Sequence, residues 1–226
     1  TRQALQDAFH GIETDLRWYR RRLPEGVPGS SILNTVAQAW VRLLAPFTPF
    51  TCEDLWARLG CKDLVSFAQW PVPDDTLIDP ATELAEELLS RTVEDIESIL
   101  KIIPFTATSI TICTANSWKR TIFTTVAASS DRSRVAREVM QDEAMRQRGK
   151  ESADVIKQCV TLVHRLPPDI VSALTHHTLD EPAIFQAAIP FLQREFGLPV
   201  RVTDADAMTH PKAAAALPFK PAIIIE

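Results

Sequence analysis

Glycine is scarce in this chain, six residues in 226, and tyrosine occurs once. Loops that cradle a nucleotide phosphate need glycine where the backbone approaches closely, and neither G-x-G-x-x-G nor G-x-x-x-x-G-K-[ST] is present. Cysteine is limited to Cys52, Cys61, Cys113 and Cys159, none at the C-x-x-C spacing of a zinc site or redox pair. The four read as reduced, mostly buried residues of a cytoplasmic protein. No apolar run approaches the roughly twenty residues of a membrane helix, and Thr1 opens no signal-peptide pattern, so no membrane partner is expected. Serines and cysteines lack a nearby histidine and acid in any triad order, which leaves nucleophilic catalysis without support. Net positive charge is also missing: the formal charge is −5, which weighs against a DNA partner and weakly against nucleic acid in general.

What is present is a globular composition, 46% hydrophobic and 23% charged, long enough for one large domain or two ordinary ones. Charge is segregated. Residues 79–99 hold seven acidic side chains against one arginine, whereas residues 117–150 hold eight Lys/Arg against four Asp/Glu.

Helical periodicity dominates the first third. Leu5, Phe9, Ile12, Leu16, Tyr19 and Leu23 recur at spacings of three and four, as on a helix burying one face. After 24–31, Ser30 or Ser31 is placed to cap a second helix with Ile32, Val36, Trp40, Leu43 and Phe47 on its apolar stripe, closed by Pro46 and Pro49. Residues 51–54 look like a capping box for a third, short helix ended by Gly60. These helices, with short connections, predict an antiparallel bundle.

The pattern then changes. Asp79 and Pro80 are the cap and first residue of a long helix whose acidic early turns suit the dipole, ended by Pro104. Residues 109–114 alternate and are β-branched, the mark of a strand. Helices follow, capped by Asn116 and by Ser130 or Asp131, then one after Gly149 that ends at Pro167-Pro168, and one over about 180–196 that Pro190 should kink. A second strand is expected at 199–203. In the tail, Pro218 and Pro221 bracket Phe219 and Lys220 and should hold them extended, and Ala222, Ile223, Ile224 and Ile225 read as a third strand. The fold class is therefore α+β and mostly helical: an antiparallel helical bundle over residues 1–78, then a small α/β domain of about three short strands over 79–226.

Few side chains suggest chemistry. His176 and His177 are adjacent and so point about 100° apart on a helix, a poor arrangement for a metal. Asp204 and Asp206 share a face only if the strand continues, and a polar strand end is the commoner reading. For phosphate contact the candidates are Lys119 and Arg120, cations near a helix N-terminus where the dipole gives no reason for them, with Arg132, Arg134, Arg137, Arg146, Arg148 and Lys150 as a basic rim or a solvated face. Arg17, Arg20, Arg21 and Arg22 are explained equally well by the dipole at a helix end.

The passage from Leu43 to Phe50 (Leu-Leu-Ala-Pro-Phe-Thr-Pro-Phe), followed by Glu53-Asp54-Leu55-Trp56, resembles a signature of the anticodon-binding helical domain of class Ia aminoacyl-tRNA synthetases. Trp70-Pro71, Asp74-Asp75 and Asp79-Pro80 fit the same pattern. Further on, Ile110 to Ala115 with Trp118-Lys119, then Gly149-Lys150-Glu151, Asp206, His210-Pro211-Lys212 and the last eleven residues are similar to archaeal and eukaryotic-type leucyl-tRNA synthetases. The resemblance implies a monomeric part of a larger chain whose partner is tRNA(Leu), read through its long variable arm. It puts Ile225 and Glu226 at the tip of that arm with Lys220 close behind, while Ile224 departs from the family's usual aromatic. ATP and Mg²⁺ belong to the full-length enzyme; the HIGH and KMSKS strings are absent here, so this chain is not expected to activate leucine alone. The competing expectation is a non-catalytic protein-interaction module or truncated paralogue, marked by a large exposed apolar patch.

Overall fold

A computed structural model of the chain describes residues 2–27, 29–129 and 132–226, with the side chains in those ranges except Ser30, Arg132 and Ser133. It is 67% helical with a small three-stranded mixed sheet, so the mostly helical α+β expectation holds. The chain divides into two compact units, Thr1–Ile78 and Asp79–Glu226.

In the first unit, α1 (Arg2–Gln6) passes through a wide π turn, Asp7–Gly11, into α2 (Ile12–Arg22). The periodicity had predicted one unbroken helix. A π turn displaces carbonyls from their usual partners, and Trp40 Nε1 donates to the Ala8 carbonyl inside this one at 2.5 Å. α3 (Ser30–Leu44) follows Gly29, whose φ is +52°, and no side chain caps it. A Cβ at Gly29 would come within 2.7 Å of Leu23 Cδ1, so the entry depends on glycine rather than on Ser31; the Ser30 side chain lies outside the described residues. α4 (Pro49–Arg58) starts at Pro49 itself, which puts Thr51 inside the helix and removes the expected capping box. Glu53 turns instead to the next segment and accepts the Val65 N–H at 2.8 Å and the Ser66 N–H at 3.3 Å. That pins Val65 into a small core with Val41, Cys52 and Trp56.

The second unit opens with α5 (Pro80–Ile102). Asp79 caps it as expected, accepting the Ala81 N–H at 3.1 Å and the Thr82 hydroxyl at 2.6 Å. Leu84, Leu88, Val93 and Ile96 are buried along one side. Then come β1 (Ile110–Thr114), α6 (Ser117–Ala128), α7 (Arg132–Val139), α8 (Glu143–Arg148), α9 (Lys150–Arg165), α10 (Pro168–His176), α11 (Glu181–Phe196), β2 (Val200–Asp204) and β3 (Ala222–Ile225). The expected cap at Ser130 or Asp131 lies outside the described residues. α8 was not foreseen and is started by Asp142, which accepts the Ala144 N–H at 2.8 Å. Nor was α10, because Pro168 had been read only as a stop; it sits at the first helical position, where a missing N–H costs nothing. α11 continues through Pro190 without interruption and buries Phe185, Ala188, Phe191 and Leu192. It packs on β2 and on α5, while α6 lies against α9 and α10.

The strand order is β2-β1-β3. β1 pairs parallel with β2, Ile112 opposite Val202, and antiparallel with β3, Ile112 opposite Ile223. β3 therefore has one strand partner, β1. One sheet face is covered by the segment between β2 and β3, which contributes Ala205, Ala213, Ala216 and half-buried Met208 around Cys113, Ala222 and Ile224.

Leu88, with 0% of its surface exposed, should lose about 2–5 kcal/mol of unfolding free energy as Leu88→Ala, whereas Phe50→Ser, at a side chain 91% exposed, should stay within about 0.5 kcal/mol of wild type. Urea titration monitored by circular dichroism measures both.

Candidate functional site

The tail is not the extended segment its prolines suggested. Leu217 and Lys220 exchange two main-chain hydrogen bonds, each 3.0 Å, and close a tight turn with Pro218 and Phe219 at its corner. Phe219 has φ +61°, which gives the arrangement of a type II turn, proline first and positive φ second. Its ring is buried, and the turn leaves Lys220 exposed at the start of the final strand.

Beside that strand runs a groove of about 500 Å³, with Ile99, Ile102, Ala222 and Ile223 along it, Asp95 and Ser98 from α5, and Lys212 and Lys220 from the tail segment. Both lysines are exposed. Lys212 sits in a short 3₁₀ turn, Pro211–Ala215, capped by His210, whose Nδ1 accepts the Lys212 N–H at 3.1 Å. Sequence reasoning noted Lys212 only as part of a motif; its available signal was a lysine directly after Pro211, eight positions before Lys220.

Ile225 requires a correction. The resemblance put it at the tip of an RNA arm, but it lies within β3 opposite Ile110 and is 9% exposed, which leaves its side chain little surface for such a contact. The exposed end is Glu226, whose main chain is nevertheless fixed: its N–H donates to the Ser109 carbonyl at 3.1 Å, and its oxygen accepts the Ser109 N–H at 3.0 Å, the Thr108 hydroxyl at 2.8 Å and the Thr108 N–H. Glu226 is thus exposed as a residue although its main chain is tied to Thr108 and Ser109.

Lys119 requires a second. It is 3% exposed, and its Nζ donates to the carbonyls of Ala214 at 2.6 Å and Ala216 at 2.9 Å. Burial pulls its ammonium below the ordinary lysine value, opposed by Glu151, Cys159 and Asp206. A side chain committed this way has no reach to a phosphate; it holds the tail segment instead. Beside it, Asn116 donates to Asp206 rather than capping α6, and Asp204 accepts the Asp206 N–H at 3.0 Å within a 3₁₀ turn, Ala205–Ala207. The two aspartates thus serve the turn and do not line one strand face.

Arg120 is half-buried, its Nε donating to the Ala115 carbonyl at 3.2 Å. With Thr175, His177, Glu181 and Phe219 it lines a small hollow of about 70 Å³. Glu181 is 4% exposed; its Oε1 accepts the Phe219 N–H at 2.8 Å, and its Oε2 has no partner. Burial pushes the Glu181 carboxyl above the ordinary glutamate value, against the opposing pull of the Phe219 N–H and Arg120. Nothing in the sequence marked this residue apart from its place at a helix start.

Three of the other arginines are engaged locally: Arg17 with Glu13 at 2.9 Å, Arg146 with Glu143 at 3.9 Å, and Arg148 with Glu151 at 3.4 Å while lying 4.5 Å over the Trp118 ring. The Arg132 side chain lies outside the described residues. Among the described residues no group of three or more His, Cys, Asp or Glu is placed to hold a metal, and no helix is long and apolar enough to cross a membrane.

Residues 1–112 match the family described as the anticodon-binding domain of tRNA ligase, a match that runs past the first unit through α5 into β1. The whole chain aligns with leucine–tRNA ligases: 35% identity over 234 residues with that of Methanosarcina barkeri, 36% over 230 with that of Pyrococcus furiosus, and 36% over 234 with that of Methanothrix thermoacetophila. Over its whole length the chain is similar to leucine–tRNA ligases. It resembles the C-terminal part of these class I ligases and spans about a quarter of the length of these curated relatives, 24%, 23% and 23%. In leucine–tRNA ligase terms, the groove beside β3 and its two lysines are part of the matched region in each alignment, since each covers 100% of this chain.

Because its folded value is raised, Glu181 holds its proton more tightly in the folded chain than in the unfolded one. Its contribution to stability is full below the ordinary glutamate range and is lost as pH rises through the raised value. Unfolding free energy should therefore fall across that window in the wild type, and E181Q, which does not titrate, should lack this component. Urea melts at stepped pH check it, and wild-type and variant curves that run parallel would count against it.

Proposed function

We propose that this chain is a tRNA-binding part of a leucine–tRNA ligase, and that the tail end of its second unit reads the long variable arm of leucine tRNA. The observation that carries the reading is the pair of exposed lysines, Lys212 and Lys220, flanking the groove beside β3. Lysine is a compact cation on a flexible stem, suited to anchoring neighbouring phosphates of a loop whose bases are splayed out. The apolar strip of Ile99, Ile102 and Ile223 gives such bases a surface to lie on. The exposed carboxylate of Glu226 accepts hydrogen bonds from base amino groups and repels misplaced phosphates, which favours a loop over a regular duplex. In this reading ATP- and Mg²⁺-dependent leucylation belongs to residues that the longer relatives possess and this chain lacks.

The first unit carries a different signal. Phe50, Phe67, Val72 and Leu77 are all at least 80% exposed, apolar side chains better matched to polypeptide than to RNA. It supports a second reading for that unit alone, as a face that docks on another part of a longer enzyme.

Replacing both Lys212 and Lys220 by alanine should weaken binding to a long-armed leucine tRNA about tenfold, and a short-armed tRNA less. The slope of log affinity against log salt should fall by about 0.7–0.9 per lysine. Fluorescence anisotropy with the two labelled tRNAs measures both quantities. An equal loss on the two RNAs would refute the arm-reading role.

A further inference from the structure

The turn at 217–220 poses a question of attachment. Pro218 and Pro221 have no N–H, and the N–H groups of Leu217 and Lys220 are engaged within the turn. That leaves the Phe219 N–H as the one main-chain donor of the corner that can tie it to the rest of the protein. It goes to Glu181 at 2.8 Å. On either side the chain is already held: Lys119 grips the Ala214 and Ala216 carbonyls, and Ala222 is in register with Cys113. Between those anchors, Glu181 supplies the only side-chain hydrogen bond to the turn among the described residues.

The turn also carries strain. A phenylalanine in the left-handed region is strained, and glycine is no substitute because the Phe219 ring is buried. A hydrogen bond to an acceptor in a water-poor setting is electrostatically stronger than one in water, and it offsets that strain. Without it the 217–220 segment has access to unstrained conformations in which Lys220 points elsewhere.

We propose that Glu181 is a positioning residue for RNA recognition: its buried carboxyl fixes the main chain of the 217–220 turn and thereby aims Lys220 at a phosphate of the bound RNA. The proposal rests on the reading that Lys220 faces RNA. Glu181 itself touches no RNA, since α11 and the turn enclose it. Its influence is transmitted through one N–H, so an amide serves as well as an acid, and an isosteric hydrocarbon does not.

The test is a double-mutant cycle on the chain, read as the salt slope of leucine-tRNA affinity at a temperature where circular dichroism shows every variant folded. K220A should lower the slope by about 0.7–0.9. E181L should lower it by a similar amount, the E181L/K220A double variant should fall no further than K220A alone, and E181Q should stay within about twofold of wild-type affinity. If E181L does not fold, E181D carries the same test, because it keeps the acid and withdraws it by one methylene. A full wild-type slope in E181L, or losses that add in the double variant, would overturn the role of Glu181 while leaving the tail's RNA contact intact. A silent K220A would overturn both the inference and the reading beneath it.

Discussion

Complete pairing of β1 is the constraint on which the second unit depends. The strand lies in the middle of the sheet with every residue buried, so its N–H and C=O groups have no recourse to water and must be met on both edges. One edge is met by β2 some ninety residues later and the other by β3 at residues 222–225. A single buried donor left without a partner costs about 1–3 kcal/mol, and losing β3 would strand several at once. The final strand is thus a structural requirement before it is anything else. That explains why Ile225 lies in the sheet and why, of the last eleven residues, Lys220 and Glu226 are the exposed ones.

The segment that delivers β3 to its place crosses the sheet as short 3₁₀ turns rather than as a helix, which leaves carbonyls without regular partners. Alanines at 205, 213 and 216 let its backbone approach the sheet closely. The two carbonyls thus left over, Ala214 and Ala216, are those that Lys119 meets. A buried lysine is costly in isolation, and here the penalty is limited by two strong acceptors and by the surrounding acidic groups. Glu181 answers the complementary need on the other side of the turn, where a donor rather than an acceptor is left over. Two buried groups of opposite polarity, from α6 and α11, therefore hold one irregular segment by its main chain.

The parts of this fold that were legible in the sequence are those decided within a few residues. Asp79-Pro80 announces a helix start because the cap and the missing N–H are both local, and the alternation at 109–114 and the run at 222–225 announce strands because a pleat repeats every two residues. Where two local rules compete, the sequence was ambiguous. Pro49 and Thr51 each offer a helix start, and Pro168 reads as a stop as readily as a first residue. The π turn, whose Ala8 carbonyl is met by Trp40 from another helix, leaves no periodic trace. The same limit governs the candidate site. Lys220 follows a proline near the end of the chain and invites attention, whereas the direction of Lys119 is set by carbonyls 95 and 97 positions away. Composition can nominate a cation, but only the fold says whether it faces inward.

Because Lys119 and Glu181 grip carbonyls and an N–H rather than side chains, the exposed positions among residues 211–221 are spared from serving as anchors. Such positions can be exchanged over evolutionary time without dislodging the strand that follows. A surface built this way can change its chemistry while the core that carries it stays as it is.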